Sequence, residues 1–129
     1  MRSIEKIIIH CAATPNGKDF RAYHIDRWHR QRGFDMIGYH YVIEINGNVA
    51  TGRTEDLIGA HCAGYNSKSI GICLIGTDEF NELQTEALVA LIQDIIIRYP
   101  DAIVHGHYEF SPKTCPNFDV KEFCKLYNF

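Results

Sequence analysis

Two apolar runs constrain the fold of this chain more than any other feature. Residues 5–11 read EKIIIHC and residues 70–76 read IGICLIG, so neither run alternates regularly between apolar and polar side chains. Continuous runs of this kind, rich in β-branched residues, are typical of strands buried on both faces of a sheet. We therefore expect an α/β protein with a central mixed β-sheet flanked by helices.

The other elements are predicted from local patterns. Alternating residues over 38–52, together with the pair Asn46–Gly47, predict a β-hairpin with a type I′ turn. Asp19 is the expected N-cap of the first helix. The remaining predicted elements are helices over 19–32 and 81–99, a strand over 102–106 and a closing helix after Asp119. The expected inner face of the first helix carries Phe20, His24 and Trp28.

Length and charge limit the number of domains and the kinds of partner that we expect. With 129 residues and no repeat or linker, the chain is expected to form one domain over residues 1–129. A formal net charge of -3 gives no indication of a nucleic-acid partner. No apolar run reaches about 18 residues, so no membrane span is expected. The N-terminal sequence lacks a signal-peptide core and cleavage site, so we expect synthesis in the cytoplasm without an export signal.

The cysteines do not suggest a disulfide framework. There are five of them, an odd number, and no two form a CxxC pair. We expect a reducing compartment during folding, with most cysteines acting as small buried apolar residues. The five are Cys11, Cys62, Cys73, Cys115 and Cys124.

The segment 104–118, VHGHYEFSPKTCPNF, carries the side chains best suited to chemistry. It contains His105 and His107, and Cys115 follows His107 by eight residues. A thiolate and an imidazole that converge are typical zinc ligands. A third candidate is His10 at the end of the first strand, and catalytic zinc sites commonly have three protein ligands with water as the fourth. From spacing alone, either histidine of the segment can complete the set.

Two prolines predict the backbone of this segment. Because proline disfavours the helical region for the residue before it, the chain between Pro112 and Pro116 is expected to be extended. Lys113 and Cys115 are two residues apart and would then point to the same side. A nucleophilic pair, with Cys115 attacking and a histidine as base, is the competing enzymatic interpretation. No HExxH, P-loop, dinucleotide or GxSxG motif is present.

Five segments of the chain match one known family in order and approximate spacing. They are IIIHCAAT (7–14), IDRWHRQRGF (25–34), IGYHYVIEINGNVATGR (37–53), GAHCAGYNSKSIGICLIG (59–76) and GHYEFSPKTCPNFDV (106–120). The chain resembles the zinc-dependent N-acetylmuramoyl-L-alanine amidases of the amidase-2 type, which include phage amidase-type lysozymes and peptidoglycan recognition proteins. The phage branch is the better match, because it shares the tyrosine of GYH and a lysine two residues before the cysteine.

This resemblance implies roles for particular residues. The implied zinc ligands are His10, His107 and Cys115, since the family's interval of eight residues selects His107, and His105 becomes a polar neighbour. The implied catalytic side chains are Tyr39 and Lys113. The implied substrate-binding residues, on the rim of the groove, are His61 and Asn66.

The resemblance also implies a reaction and its partners. The reaction is zinc-dependent hydrolysis of the amide between N-acetylmuramic acid and L-alanine, in peptidoglycan or in muropeptides, with action on the cell wall after release. The alternative is a non-catalytic peptidoglycan-binding module. Some phage lysozymes of this type also bind and inhibit an RNA polymerase, and a segment ahead of the first strand contributes to this binding. His10 lies close to Met1, so RNA polymerase binding is not expected here, and we expect a monomer.

Overall fold

The structure is a computed structural model that describes residues 2–129. It is a five-stranded mixed sheet with three helices, which confirms the predicted α/β class. The strands are β1 (Lys6–Cys11), β2 (Tyr41–Ile43), β3 (Val49–Thr51), β4 (Ser69–Leu74) and β5 (Ile103–Gly106). The helices are α1 (Ala22–Gln31), α2 (Glu82–Arg98) and α3 (Val120–Tyr127), and short 3-10 turns cover Asn66–Lys68 and His107–Glu109.

The first apolar run forms the centre of the sheet. The strand order is β3-β2-β4-β1-β5, and β1 is parallel to both of its neighbours. β2 is parallel to β4 and antiparallel to β3. Ile7, Ile8 and Ile9 are fully buried, as predicted for a strand covered on both faces.

Two apolar clusters cover the two faces of the sheet. The larger one combines β-strand isoleucines with α2 and with the start of α3. The smaller one packs α1 against the opposite face. Successive side chains of a strand point to opposite faces, so Ile7 and Ile9 belong to the larger cluster, and His10 points away from it.

The predicted start of the first helix was wrong. Helix α1 begins at Ala22 with Arg21 as its N-cap residue, not at Asp19. The reason is a long-range contact: the Ala22 N–H donates to the Glu44 carboxylate at 2.9 Å, so a distant side chain caps this helix. The buried face of α1 also differs from the predicted one. The buried residues of α1 are Ile25 and His29, while Phe20, His24 and Trp28 are half-buried.

The hairpin between β2 and β3 is present, but its turn is not type I′. A type I′ turn needs positive φ at both central residues. Among residues 2–129 only Gly47 of the pair has it, with φ +85, and Asn46 does not. The Glu44 carbonyl accepts the Gly47 N–H at 2.9 Å, and Asn46 Oδ1 accepts the Asn48 N–H at 2.9 Å. Asn46 is therefore held by its own side chain, and glycine takes the left-handed position after the turn.

No helix within residues 2–129 combines the length and the apolar character that crossing a lipid bilayer requires.

Candidate active site

The pairing of β1 with β5 brings two histidines together. In the parallel register Ile9 lies opposite Gly106, so His10 and His107 are the next residues along the two strands. Their ring centroids are 4.4 Å apart. Sequence-distant residues meet here because the C-terminal ends of parallel strands share one edge of the sheet.

The loop after His107 adds a sulfur atom to this edge. The Tyr108 N–H donates to the Cys115 carbonyl at 2.9 Å, which folds the loop back on itself. The Cys11 N–H then donates to Cys115 Sγ at 3.0 Å. The extended conformation expected between Pro112 and Pro116 was wrong, because residues 110–113 bend and Cys115 and Pro116 lie in a turn.

His10, His107 and Cys115 form one cluster of donor atoms. Their ligand atoms all lie within 4.8 Å of one another, so the cluster could hold a metal ion. Burial lowers the pKa of His10 well below its usual value. Burial, and then the Lys113 ammonium, lowers the pKa of His107. Both imidazoles are therefore favoured in the neutral form, which metal binding requires.

The surroundings of Cys115 fit a metal ligand better than a nucleophile. A cysteine nucleophile is activated by a base within hydrogen-bond reach. Within residues 2–129, the hydrogen bonds of Cys115 Sγ join it to the backbone of Cys11, not to a histidine. The neighbouring Cys11 thiol, followed by burial, raises the pKa of Cys115 in the metal-free protein. A raised pKa favours the protonated thiol. A coordinating metal would favour the thiolate instead, because a metal deprotonates a bound thiol outright.

A cavity of about 900 Å³ opens beside this cluster. All seven residues singled out from the sequence line it: His10, Tyr39, His61, Asn66, His107, Lys113 and Cys115. Among residues 2–129, no aspartate or glutamate lines this cavity, and its cationic side chains are Arg32 and Lys113. The cavity is thus favourable to anions although the chain carries a net charge of -3.

Tyr39 and Lys113 reach the cavity from different segments of the chain. The Tyr39 ring is 5.1 Å from the His10 ring between centroids. Burial, and then the nearby thiols of Cys73 and Cys115, raises the pKa of Tyr39 well above its usual value. The phenol therefore keeps its proton at neutral pH and can act as a donor. Lys113 is exposed on the loop that follows β5.

His61 lines the cavity and contacts His10. Its Nδ1 is 2.8 Å from His10 Nε2, and its Nε2 is 3.3 Å from Ser69 Oγ. Asn66 Oδ1 accepts the backbone N–H groups of His61 and Cys62, both at 2.9 Å. Asn66 thus shapes the loop that carries His61.

Sequence reasoning did not single out several other cavity residues, among them His29, Arg32 and Phe34. His29 Nδ1 accepts the Gly38 N–H at 2.9 Å, and its ring is 5.5 Å from that of Tyr39. The position of His29 four residues after Ile25 placed it on the buried stripe of α1 and was the available signal. Glu109 lies outside the cavity lining and binds His105 Nδ1 and the Gly106 N–H, both at 2.9 Å.

Comparisons with known proteins show the family of this chain. The model of the N-acetylmuramoyl-L-alanine amidase family matches residues 1–118. The chain belongs to this amidase family. The endolysin of Klebsiella phage KP32 is 36% identical over 124 residues, which cover 90% of this chain and 82% of the endolysin.

Solved structures share both the fold and moderate sequence identity. The N-acetylmuramoyl-L-alanine amidase LysC from Clostridium intestinale superposes with a TM-score of 0.89 at 28% identity, covering 98% of this chain and 87% of LysC. A Drosophila PGRP-LB mutant in complex with tracheal cytotoxin has a TM-score of 0.82 at 27% identity, covering 90% of this chain and 76% of that chain. The family match contains all seven predicted site residues.

We expect the metal-free protein to lose stability in acid because of His61. Burial, together with His40 and His107, lowers the pKa of His61 from 6.5 to about 3. The unfolded chain gains a proton at this residue below about pH 6.5, whereas the folded chain does so only near pH 3. The free energy of unfolding should therefore fall by about 1.4 kcal/mol per pH unit across this window from His61 alone.

Urea unfolding at pH 7, 6 and 5 in the presence of a chelator measures this effect. The control is His61→Asn, which removes the titrating group and should show a shallower dependence on pH. Equal slopes for the two proteins would contradict the prediction.

Proposed function

We propose that this protein is a zinc-dependent amidase that hydrolyses the bond between N-acetylmuramic acid and L-alanine in peptidoglycan. The observation that carries the proposal is the convergence of His10, His107 and Cys115 at one edge of the sheet, beside a cavity that also holds Tyr39 and Lys113. Membership of the amidase family supports the reaction type.

Zinc is the metal that suits this donor set. Two neutral imidazoles and one thiolate are typical zinc ligands, and three protein ligands leave a fourth position for water, as in catalytic sites. Cys115 Sγ accepts the Cys11 N–H at 3.0 Å, a hydrogen bond that favours the thiolate. When bound, zinc would lower the pKa of a water molecule to about 7 and polarise the scissile carbonyl.

The chain's own residues would handle the charges of the reaction. Attack on an amide gives a tetrahedral intermediate with an oxyanion, and the Lys113 ammonium can stabilise that charge. Tyr39 keeps its proton at neutral pH, so its phenol can hydrogen-bond the oxyanion or protonate the leaving amine. Among residues 2–129, no carboxylate lines the cavity that would repel an acidic stem peptide.

The substrate is proposed to be peptidoglycan or a soluble muropeptide, with the enzyme acting on the cell wall as a monomer. A second candidate function is binding without catalysis. The complex of a Drosophila PGRP-LB mutant with tracheal cytotoxin favours it, since that protein shares this fold. Binding alone would require neither the sulfur of Cys115 nor the charge of Lys113, so their presence together in the cavity supports catalysis.

Product analysis tests the reaction. Digestion of purified peptidoglycan should release peptides with a free L-alanine amine and create no new reducing sugar ends. Mass spectrometry and reducing-end assays distinguish this result from glycan cleavage, which would refute the proposal. Binding of peptidoglycan without any released peptide would favour the non-catalytic function.

Metal analysis tests the ligand assignment. The purified protein should contain about one zinc ion per chain, and Cys115→Ser should lose most of it. Cys124→Ser is the matched control, because Cys124 is a half-buried thiol on α3 and does not line the cavity. Full zinc content in Cys115→Ser would remove this cysteine from the site.

Two substitutions separate chemistry from metal binding. Tyr39→Phe and Lys113→Ala should each keep zinc and the wild-type thermal midpoint, yet lose about 100- to 1000-fold in turnover, as expected for a missing oxyanion partner. Lys125→Ala, at an exposed position on α3, should leave turnover unchanged. Near wild-type hydrolysis by both variants would show that the catalytic assignment is wrong, whereas loss of zinc would make the residues structural.

A further inference from the structure

His61 is the middle member of a hydrogen-bonded row that ends at His10. The row runs from Ser69 Oγ to His61 Nε2 at 3.3 Å, and from His61 Nδ1 to His10 Nε2 at 2.8 Å. Both ends are shielded from solvent, since His10 is 1% exposed and Ser69 is fully buried. Buried polar atoms must find partners within the protein, so each member of the row depends on the next.

This row determines which nitrogen of His10 is free. Its Nε2 is engaged by His61, which leaves Nδ1. Nδ1 is also the ring nitrogen closer to the backbone, and Cys115 Sγ lies against that backbone, 3.0 Å from the amide nitrogen of Cys11. The sulfur of Cys115 is thus close to the residue that follows His10.

The hydrogen atoms in the row can be arranged in two ways. If Ser69 donates to His61, then His61 donates to His10, and Nδ1 of His10 carries a hydrogen that prevents it from binding a metal. If His10 donates to His61 Nδ1, then His61 donates to Ser69, and Nδ1 of His10 presents a lone pair. Only the second arrangement is compatible with a metal at His10.

The His61 ring fills the space beside two glycines. A Cβ atom at Gly71 would lie 2.6 Å from the ring, and one at Gly59 would lie 2.7 Å from its Cδ2 atom. Neither glycine has a positive φ, so their backbone conformation does not require glycine. What these positions require is the absence of a side chain, because the ring of His61 occupies that space.

We propose that His61 is a positioning residue for the metal ligand His10, which it holds in one tautomer and one ring orientation by accepting the hydrogen of Nε2. The proposal rests on the zinc function proposed above. It gives His61 a role in metal binding, distinct from the contact with substrate that the sequence resemblance implied. Loss of such an outer partner typically reduces metal affinity about 10- to 100-fold.

Two substitutions of His61 test the proposal as a matched pair. In His61→Asn the side-chain amide can take the place of His61 Nδ1, the atom that contacts His10. In His61→Gln the amide can take the place of His61 Nε2, the atom that contacts Ser69. We expect His61→Asn to bind zinc within a few-fold of wild type, whereas His61→Gln should bind about 10- to 100-fold more weakly. Zinc dissociation constants come from competition with a chromophoric chelator, and the absorption spectrum of the Co²⁺-substituted protein reports ligand geometry. Thermal midpoints of the metal-free proteins verify folding.

Gly71→Ala provides a test that leaves His61 itself unchanged. The added methyl group should displace the ring and weaken zinc binding in the wild-type chain. In the His61→Ala chain the space is free, so the same change should have little further effect. This non-additive pattern would support the proposal, while equal effects in the two chains would overturn it.

The outcomes separate this inference from the proposed function. Equal zinc affinity in wild type and His61→Gln, or equal losses in His61→Asn and His61→Gln, would overturn the role of His61 and leave the zinc enzyme intact. A wild-type protein that binds no zinc would overturn both proposals.

Discussion

The parallel pairing of β1 with β5 is the constraint on which the site depends. It sets Ile9 opposite Gly106, and therefore places His10 beside His107 where the two strands end. A shift of one residue would turn the side chains of one strand to the opposite face of the sheet. The register is held by Ile7 and Ile9, which are fully buried in the larger apolar cluster. Packing on one face of the sheet thus fixes the position of imidazoles on the other.

The same burial that stabilises the sheet also sets the chemistry of the cavity. Burial lowers the pKa of His10, so its imidazole is favoured in the neutral form that a ligand requires. Burial raises the pKa of Tyr39, so its phenol is favoured as a proton donor. Two cationic side chains and no carboxylates line the cavity within residues 2–129, which makes it suitable for an acidic peptide. Glu109, the nearest carboxylate in sequence, instead stabilises the backbone turn after β5.

Much of the polar structure around the site serves to hold loops rather than to contact a substrate. Asn66 accepts two backbone N–H groups and fixes the loop of His61. Arg2 donates to the carbonyls of Glu55 and Ser69, which ties the same region to the start of β1. His40 is fully buried and accepts the N–H of Gly71. The His61 ring lies so close to Gly59 and Gly71 that a Cβ atom at either position would meet it.

The sequence by itself determined the α/β class and the buried central strand, because apolar patterns are local properties of the chain. Its resemblance to the amidase family indicated seven residues that line the cavity, but not His29, Arg32 or Phe34. It also indicated His10, His107 and Cys115 as candidate ligands, a role that remains a prediction. The tertiary structure alone decided that Glu44 caps α1 and that residues 110–113 bend. It also decided that His61 lies against His10. Each of these depends on atoms far apart in sequence that meet only after the sheet has formed, and local propensity carries no information about such contacts.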